Sequence, residues 1–184
     1  MNLTLPEAVS ALAAAQPPAG RSLLRMAVAD EVLAVPIEAV REILQVSRMT
    51  ALPRTPPFVR GVMNLRGAVV PVFDLAARLG CGRTEIGKRS CIVIVECHAP
   101  PDSLAAEARA AAPLVLGLLV DAVFEVFDCH PGDIEPVPAL GTRIRPEALQ
   151  GMTRAKGAVI GVLALDRELA AAALAADIAS HQAH

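Results

Sequence analysis

"GVMNLRGAVVPVFDL", residues 61–75, decides how the rest of the chain is read. Two apolar runs of β type, Val62 to Leu65 and Ala68 to Phe73, flank Arg66-Gly67, and Gly67 supplies the positive φ that a tight hairpin turn demands. An amide, a cation and a glycine (Asn64, Arg66, Gly67) therefore sit at the crest of an otherwise apolar hairpin. The pattern returns as "GMTRAKGAVIGVLAL", residues 151–165, which aligns Gly61 with Gly151, Arg66 with Lys156 and Gly67 with Gly157. Upstream, "PIEAVREIL" (36–44) matches "LVDAVFEVF" (119–127), aligning Ala39, Val40, Glu42 and Ile43 with Ala122, Val123, Glu125 and Val126. A Pro-containing loop follows each copy. The chain is an internal duplication, with approximate halves 33–79 and 116–169. Each half holds strands of about five residues, too few for a sandwich and enough for a small closed barrel, which also removes exposed edges. The expected fold is mainly β, two small five-stranded barrels sharing a hydrophobic interface.

Working outward, Ser22 to Val28 and Val32 to Val35 form a hairpin around Ala29-Asp30-Glu31. Pro36 opens about one helical turn before the chain extends again from Glu42 to Val46. The prolines between Leu52 and Pro57 impose a rigid loop. Asp74 caps a short helix, 74–79, that ends at Gly80. "CIVIVEC" (91–97) is a buried strand, and "LVLGLLV" (114–120) and "EVFDC" (125–129) are two more. Residues 99–112 read as an exposed insertion, and residues 1–21 as an N-terminal extension. Asp166 to Ser180 reads as a C-terminal helix capped by Asp166 and packed through Leu165, Leu169 and Leu174, with 170–184 its end and tail.

Composition excludes several functions. Of 184 residues 54% are apolar, ample for a core, and no apolar run reaches the roughly 18 residues of a membrane span. Lys and Arg number 17 against 19 Asp and Glu, without runs, which argues against nucleic acid and against membrane insertion. The N-terminus carries Glu7 and no basic stretch, so a cytoplasmic location is expected. The four cysteines include no CxxC pair and read as buried small hydrophobes. Cys97-His98 and Cys129-His130 make a poor zinc site, because neighbours on a strand face opposite sides. No Gly-x-Ser-x-Gly elbow occurs, and "GCGRTEIGK" (80–88) lacks the ending of a phosphate loop and follows a helix, so it reads as a connector. No enzyme, cofactor or metal is indicated.

The strings "AVREI", "ALPRTPPFVRGVMNLRGAVVPVFDLAARLG" and "LGLLVDAVFEV", in that order, resemble the CheW-like domain of bacterial chemotaxis coupling proteins, over about Ser22 to Leu169. The resemblance implies two SH3-like five-stranded barrels and a non-catalytic adaptor. The implied partners are a CheA-type histidine kinase, through its own CheW-like regulatory domain, and the cytoplasmic tip of a chemoreceptor, which recruits the adaptor to receptor arrays. The residues it points to for partner binding are Val40, Glu42, Gly61, Asn64, Arg66 and Gly67. Arg66 then lies by a groove where a receptor helical hairpin docks, with Asn64 and Gly67 shaping the turn. Two readings of Arg66 stand side by side: its rigid five-donor fork meets a partner carboxylate, or it pairs with Glu42 in its own subdomain. Val40 reads as a groove residue and Ile43 as core. The family's usual aromatic in the first hairpin is missing, so Met26 or Leu33 fills that space. Two alternatives remain: an adaptor of a non-flagellar chemosensory pathway, for pili or surface responses, and a ligand-sensing β-barrel module.

Overall fold

A computed structural model describes residues 20–98, 113–138 and 142–169. Most of the N-terminal extension, the 99–112 insertion and the C-terminal helix beyond Leu169 lie outside the described residues. In chain order the strands are β1 (Arg21–Val28), β2 (Glu31–Pro36), β3 (Val40–Gln45), β4 (Val59–Leu65) and β5 (Ala68–Asp74), followed by helix α1 (Leu75–Leu79). The second series is β6 (Cys91–Cys97), β7 (Leu114–Val120), β8 (Ala122–Cys129), β9 (Leu149–Ala155) and β10 (Ala158–Leu163), followed by helix α2, described over 165–169.

These ten strands form two five-stranded sheets, ordered β3-β6-β7-β5-β4 and β8-β1-β2-β10-β9. Replacing each strand of one order by its repeat equivalent gives the other, so the two subdomains share one topology. They are two SH3-like barrels. The repeats and the barrels do not coincide, however: each half contributes strands to both sheets. The reason lies in the links that pass from one sheet to the other. Only the 3-10 turn Ile37–Ala39 separates β2 from β3, and only Asp121 separates β7 from β8. Neither link reverses the chain as the left-handed turns at Ala29, Arg66 and Lys156 do, and the next strand continues into the other barrel. We call the sheet of residues 40–120 the inner barrel and the sheet of β1, β2 and β8–β10 the outer barrel.

Packing follows the same division. Met63, Val70, Val72, Ile92, Ile94 and Leu119 fill the inner barrel, and Leu23, Ala34, Cys129, Ile160 and Val162 fill the outer one. A third, larger cluster joins them, with Leu24, Met26 and Leu33 on one side and Phe73, Val93 and Leu118 on the other. Met26 and Leu33 are both fully buried there.

Two local expectations are corrected. Ile43 is 44% exposed and not core. It stands opposite buried Val93, yet β3 is the edge strand of its sheet, where the inter-barrel core runs out. Asp166 does not cap the last helix, which begins at Leu165; its carboxylate instead accepts the His98 backbone N–H at 2.8 Å. The first helix is capped as expected, with Asp74 Oδ1 accepting from Ala77 N and Gly80 in the left-handed region at φ 78°.

Gly61 sets the base of the β4–β5 hairpin. It has φ 140°, and a Cβ there would stand 2.3 Å from the Thr50 carbonyl oxygen, which accepts the Val62 N–H at 2.9 Å. Gly151 repeats the arrangement, with its Cβ position 2.6 Å from the Glu135 carbonyl. Both the clash and the backbone strain act on substitution, so Gly61→Ala lowers stability by about 3 kcal/mol. Thermal unfolding by circular dichroism should show a melting point lower by roughly 6–12 °C.

Candidate functional site

The crest of the β4–β5 hairpin is built from its backbone upward. Arg66 and Gly67 take φ values of 53° and 89°, the left-handed pair that matches the twist of a two-residue hairpin. A left-handed arginine is held there by its neighbour: Asn64 Oδ1 accepts the Gly67 N–H at 2.9 Å and fixes the turn. The guanidinium then reaches β3 of the same barrel, where Arg66 Nη2 lies 3.2 Å from Glu42 Oε2. Arg66 is 80% exposed and Glu42 25%. An ion pair this exposed contributes at most about 1 kcal/mol, so the arginine can exchange Glu42 for another carboxylate at little cost.

Around the pair lies a groove of about 600 Å³ whose walls include Arg41, Glu42, Leu65, Arg66, Val69 and Val115. Val69 and Ile43 both leave large aliphatic surface in solvent on this barrel. Glu42, Asn64, Arg66 and Gly67 are therefore brought together. Val40 is half-buried against the inter-barrel core, and Gly61 is buried at the far end of β4.

The fold also separates charge. Among the described residues, 40–120 carry nine Lys and Arg against four Asp and Glu, net +5. The remaining described residues carry seven against eleven, net −4. The inner barrel, which bears the Arg66 crest, thus attracts an acidic surface, a property hidden in the whole-chain balance of −2.

The CheW-like domain family model matches residues 22–173. The chain belongs to the CheW-like domain family. It is 34% identical over 147 residues to the chemotaxis protein CheW of Rhizobium meliloti (strain 1021), covering 80% of this chain and 86% of that protein. Protein FrzA of Myxococcus xanthus is 35% identical over 130 residues, 71% of this chain and 72% of its own. The crystal structure of the scaffolding protein TtCheW from Thermoanaerobacter tengcongensis superposes with a TM-score of 0.67 at 29% identity, over 85% of this chain and 96% of that one. As a CheW-like protein the chain is a chemotaxis adaptor, a member of a family of non-catalytic scaffolds. No helix among the described residues is long and apolar enough to cross a membrane.

Sequence reasoning missed a polar lock behind the CheW-like crest. Asp74 is fully buried, and beyond capping α1 it pairs with Arg60 Nε at 3.2 Å. It also accepts the Thr84 backbone N–H at 3.0 Å and the Thr84 hydroxyl at 3.1 Å, while Arg60 donates to the Thr84 carbonyl. The "GCGRTEIGK" connector is therefore pinned to the hairpin strand. The sequence signals only an acid at the end of an apolar β run, which marks the helix cap and neither Arg60 nor Thr84. A second lock joins the equivalent helices: Arg78 of α1 and Glu168 of α2 occupy matching repeat positions and pair at 2.9 Å, with Arg145 on the same carboxylate oxygen at 3.0 Å.

The cysteines are spread through the CheW-like domain, with Cys97 and Cys129 buried and Cys81 and Cys91 half-buried. Burial, with help from nearby Asp166 and Glu96, pushes the Cys97 thiol up to about 12. At pH 8 it is therefore protonated as well as shielded, and the thiolate is the reactive form. Titration of the native protein with a thiol-reactive disulfide reagent at pH 8 should leave Cys97 unlabelled until denaturant is added. Rapid labelling of all four thiols in the folded protein would contradict this packing.

Proposed function

We propose that this adaptor links the cytoplasmic tip of a chemoreceptor to a CheA-type histidine kinase, and so helps assemble a receptor array from the cytoplasmic side. The observation that carries the reading is the Arg66 crest: an exposed guanidinium on a basic barrel, preset by a left-handed turn and held by a weak internal pair. A helical receptor hairpin offers a surface carboxylate to replace Glu42 and aliphatic side chains to cover Val69 and Ile43. Val40, Glu42, Asn64 and Gly67 support that contact, and Gly61 supports it indirectly by fixing the base of the hairpin.

The kinase is engaged elsewhere, through barrel surfaces that its own CheW-like regulatory domain complements. The experiment is a calorimetric titration with the regulatory domain of a CheA-type kinase from the same organism. Binding of micromolar affinity or tighter, about −8 kcal/mol, is expected. No binding would send the assignment to a ligand-sensing barrel. Similarity to Protein FrzA favours, as a second reading, an adaptor of a non-flagellar chemosensory pathway.

A further inference from the structure

We infer that the outer barrel carries a second helix-docking site of the same construction as the Arg66 crest. The inference rests on the receptor-docking reading above and extends it to a surface that the sequence motif does not mark. Crest 151–165 lacks the Asn-Leu-Arg-Gly string, and Arg154 stands where Asn64 fixes the first turn, yet the left-handed turn and the ion pair are both rebuilt. Lys156 and Gly157 take the same left-handed pair, φ 49° and 77°. Lys156 Nζ lies 3.0 Å from Glu125 Oε2, and Glu125 is the repeat equivalent of Glu42.

The aliphatic surface is duplicated as well. Val126 and Val159 are exposed at the positions that match Ile43 and Val69. The second site adds features of its own. Phe124, one of only four aromatic residues in the chain, is 42% exposed, with the Arg25 guanidinium 4.9 Å and the Arg89 guanidinium 6.0 Å from its ring centroid. Arg25 also pairs with Glu125 at 3.5 Å. Two cations, Arg25 and Lys156, thus hold one carboxylate, and Arg25 and Arg89 flank the Phe124 ring beside a shallow groove of about 380 Å³ lined also by Cys91, Ala122 and Val123.

Charge complementarity selects the occupant, a helix that presents a carboxylate beside apolar side chains. A receptor hairpin that docks on the first crest meets this requirement at the second. Two differences make the second site weaker: lysine is a point charge where arginine is a fork, and the surrounding barrel is net acidic. Affinity about tenfold or more below the first site is expected. A chain with two such sites holds two receptors together, so modest single affinities suffice for assembly.

The test is a calorimetric titration of the intact protein with a purified receptor cytoplasmic hairpin fragment, folding of every variant being checked by circular dichroism. The wild type should take up two hairpins, one tight and one weak. Lys156→Glu and Phe124→Ala should each abolish the weak site and spare the tight one, Arg66→Glu should do the reverse, and Lys156→Arg should tighten the weak site. A single site in the wild type, unaffected by Lys156→Glu and Lys156→Arg, would overturn the inference while leaving the first crest in place. No uptake at all by the wild type would overturn the receptor-docking reading and this inference with it.

Discussion

Asp74→Ala is expected to lower stability by about 3–5 kcal/mol, the range for removing one partner of a buried ion pair. The carboxylate is fully buried and answers four groups at once: Arg60, the Thr84 N–H and hydroxyl, and the Ala77 N–H at the helix start. Without it, Arg60, only 13% exposed, keeps its charge with no counterion, and two backbone donors lose their acceptor. The second repeat shows how the protein itself avoids that state. There Ala164 stands where Asp74 does and Gln150 where Arg60 does, so acid and base are absent together. The double variant Arg60→Gln, Asp74→Ala should therefore be more stable than Asp74→Ala alone, a coupling that a urea-unfolding cycle would measure. A loss below about 1 kcal/mol for Asp74→Ala would show that the lock does not hold the connector.

Arg66→Glu carries the largest expected effect on function. The substitution puts a second carboxylate against Glu42 at the crest, and a receptor carboxylate approaching the groove then meets repulsion in place of a guanidinium. Binding of a receptor hairpin to the first site should weaken about a hundredfold, close to 3 kcal/mol, within the range for a desolvated charge pair lost at an interface. Stability should change by no more than about 1 kcal/mol, because the Arg66 side chain is largely in water. Affinity for the kinase regulatory domain should stay at its wild-type value. Loss of fold instead would assign Arg66 a structural role, and unchanged receptor affinity would remove the crest from the docking surface.

The hairpin crests, the duplication and the positions of nearly every strand were legible because each depends on local chemistry. Arg66-Gly67 dictates a turn, "CIVIVEC" a buried strand, and Gly80 a helix end. The pairing of Arg66 with Glu42 was legible as one of two readings, since an arginine fork suits a carboxylate of its own subdomain as well as one of a partner. What was not legible depends on which strands meet. Apolar character alone places Ile43 in the core, and only the sheet order shows that β3 is an edge. The exchange of strands between the repeats lies in the links after β2 and β7, which become visible once the strand ends are known. Asp74 carried a local signal for its cap and none for Arg60 or Thr84, which reach it through the third dimension. The charge division of the barrels depends on which strands share a barrel, and the whole-chain sum hides it.

The central claim is that one molecule of this chain joins a receptor to a kinase. The most direct measurement immobilises a receptor cytoplasmic hairpin and follows capture of the kinase regulatory domain by surface plasmon resonance, with and without this protein. Capture should depend on the protein, rise with its concentration, and fall sharply with Arg66→Glu although that variant still binds the kinase domain. Equal capture in the presence and absence of the protein would contradict the account.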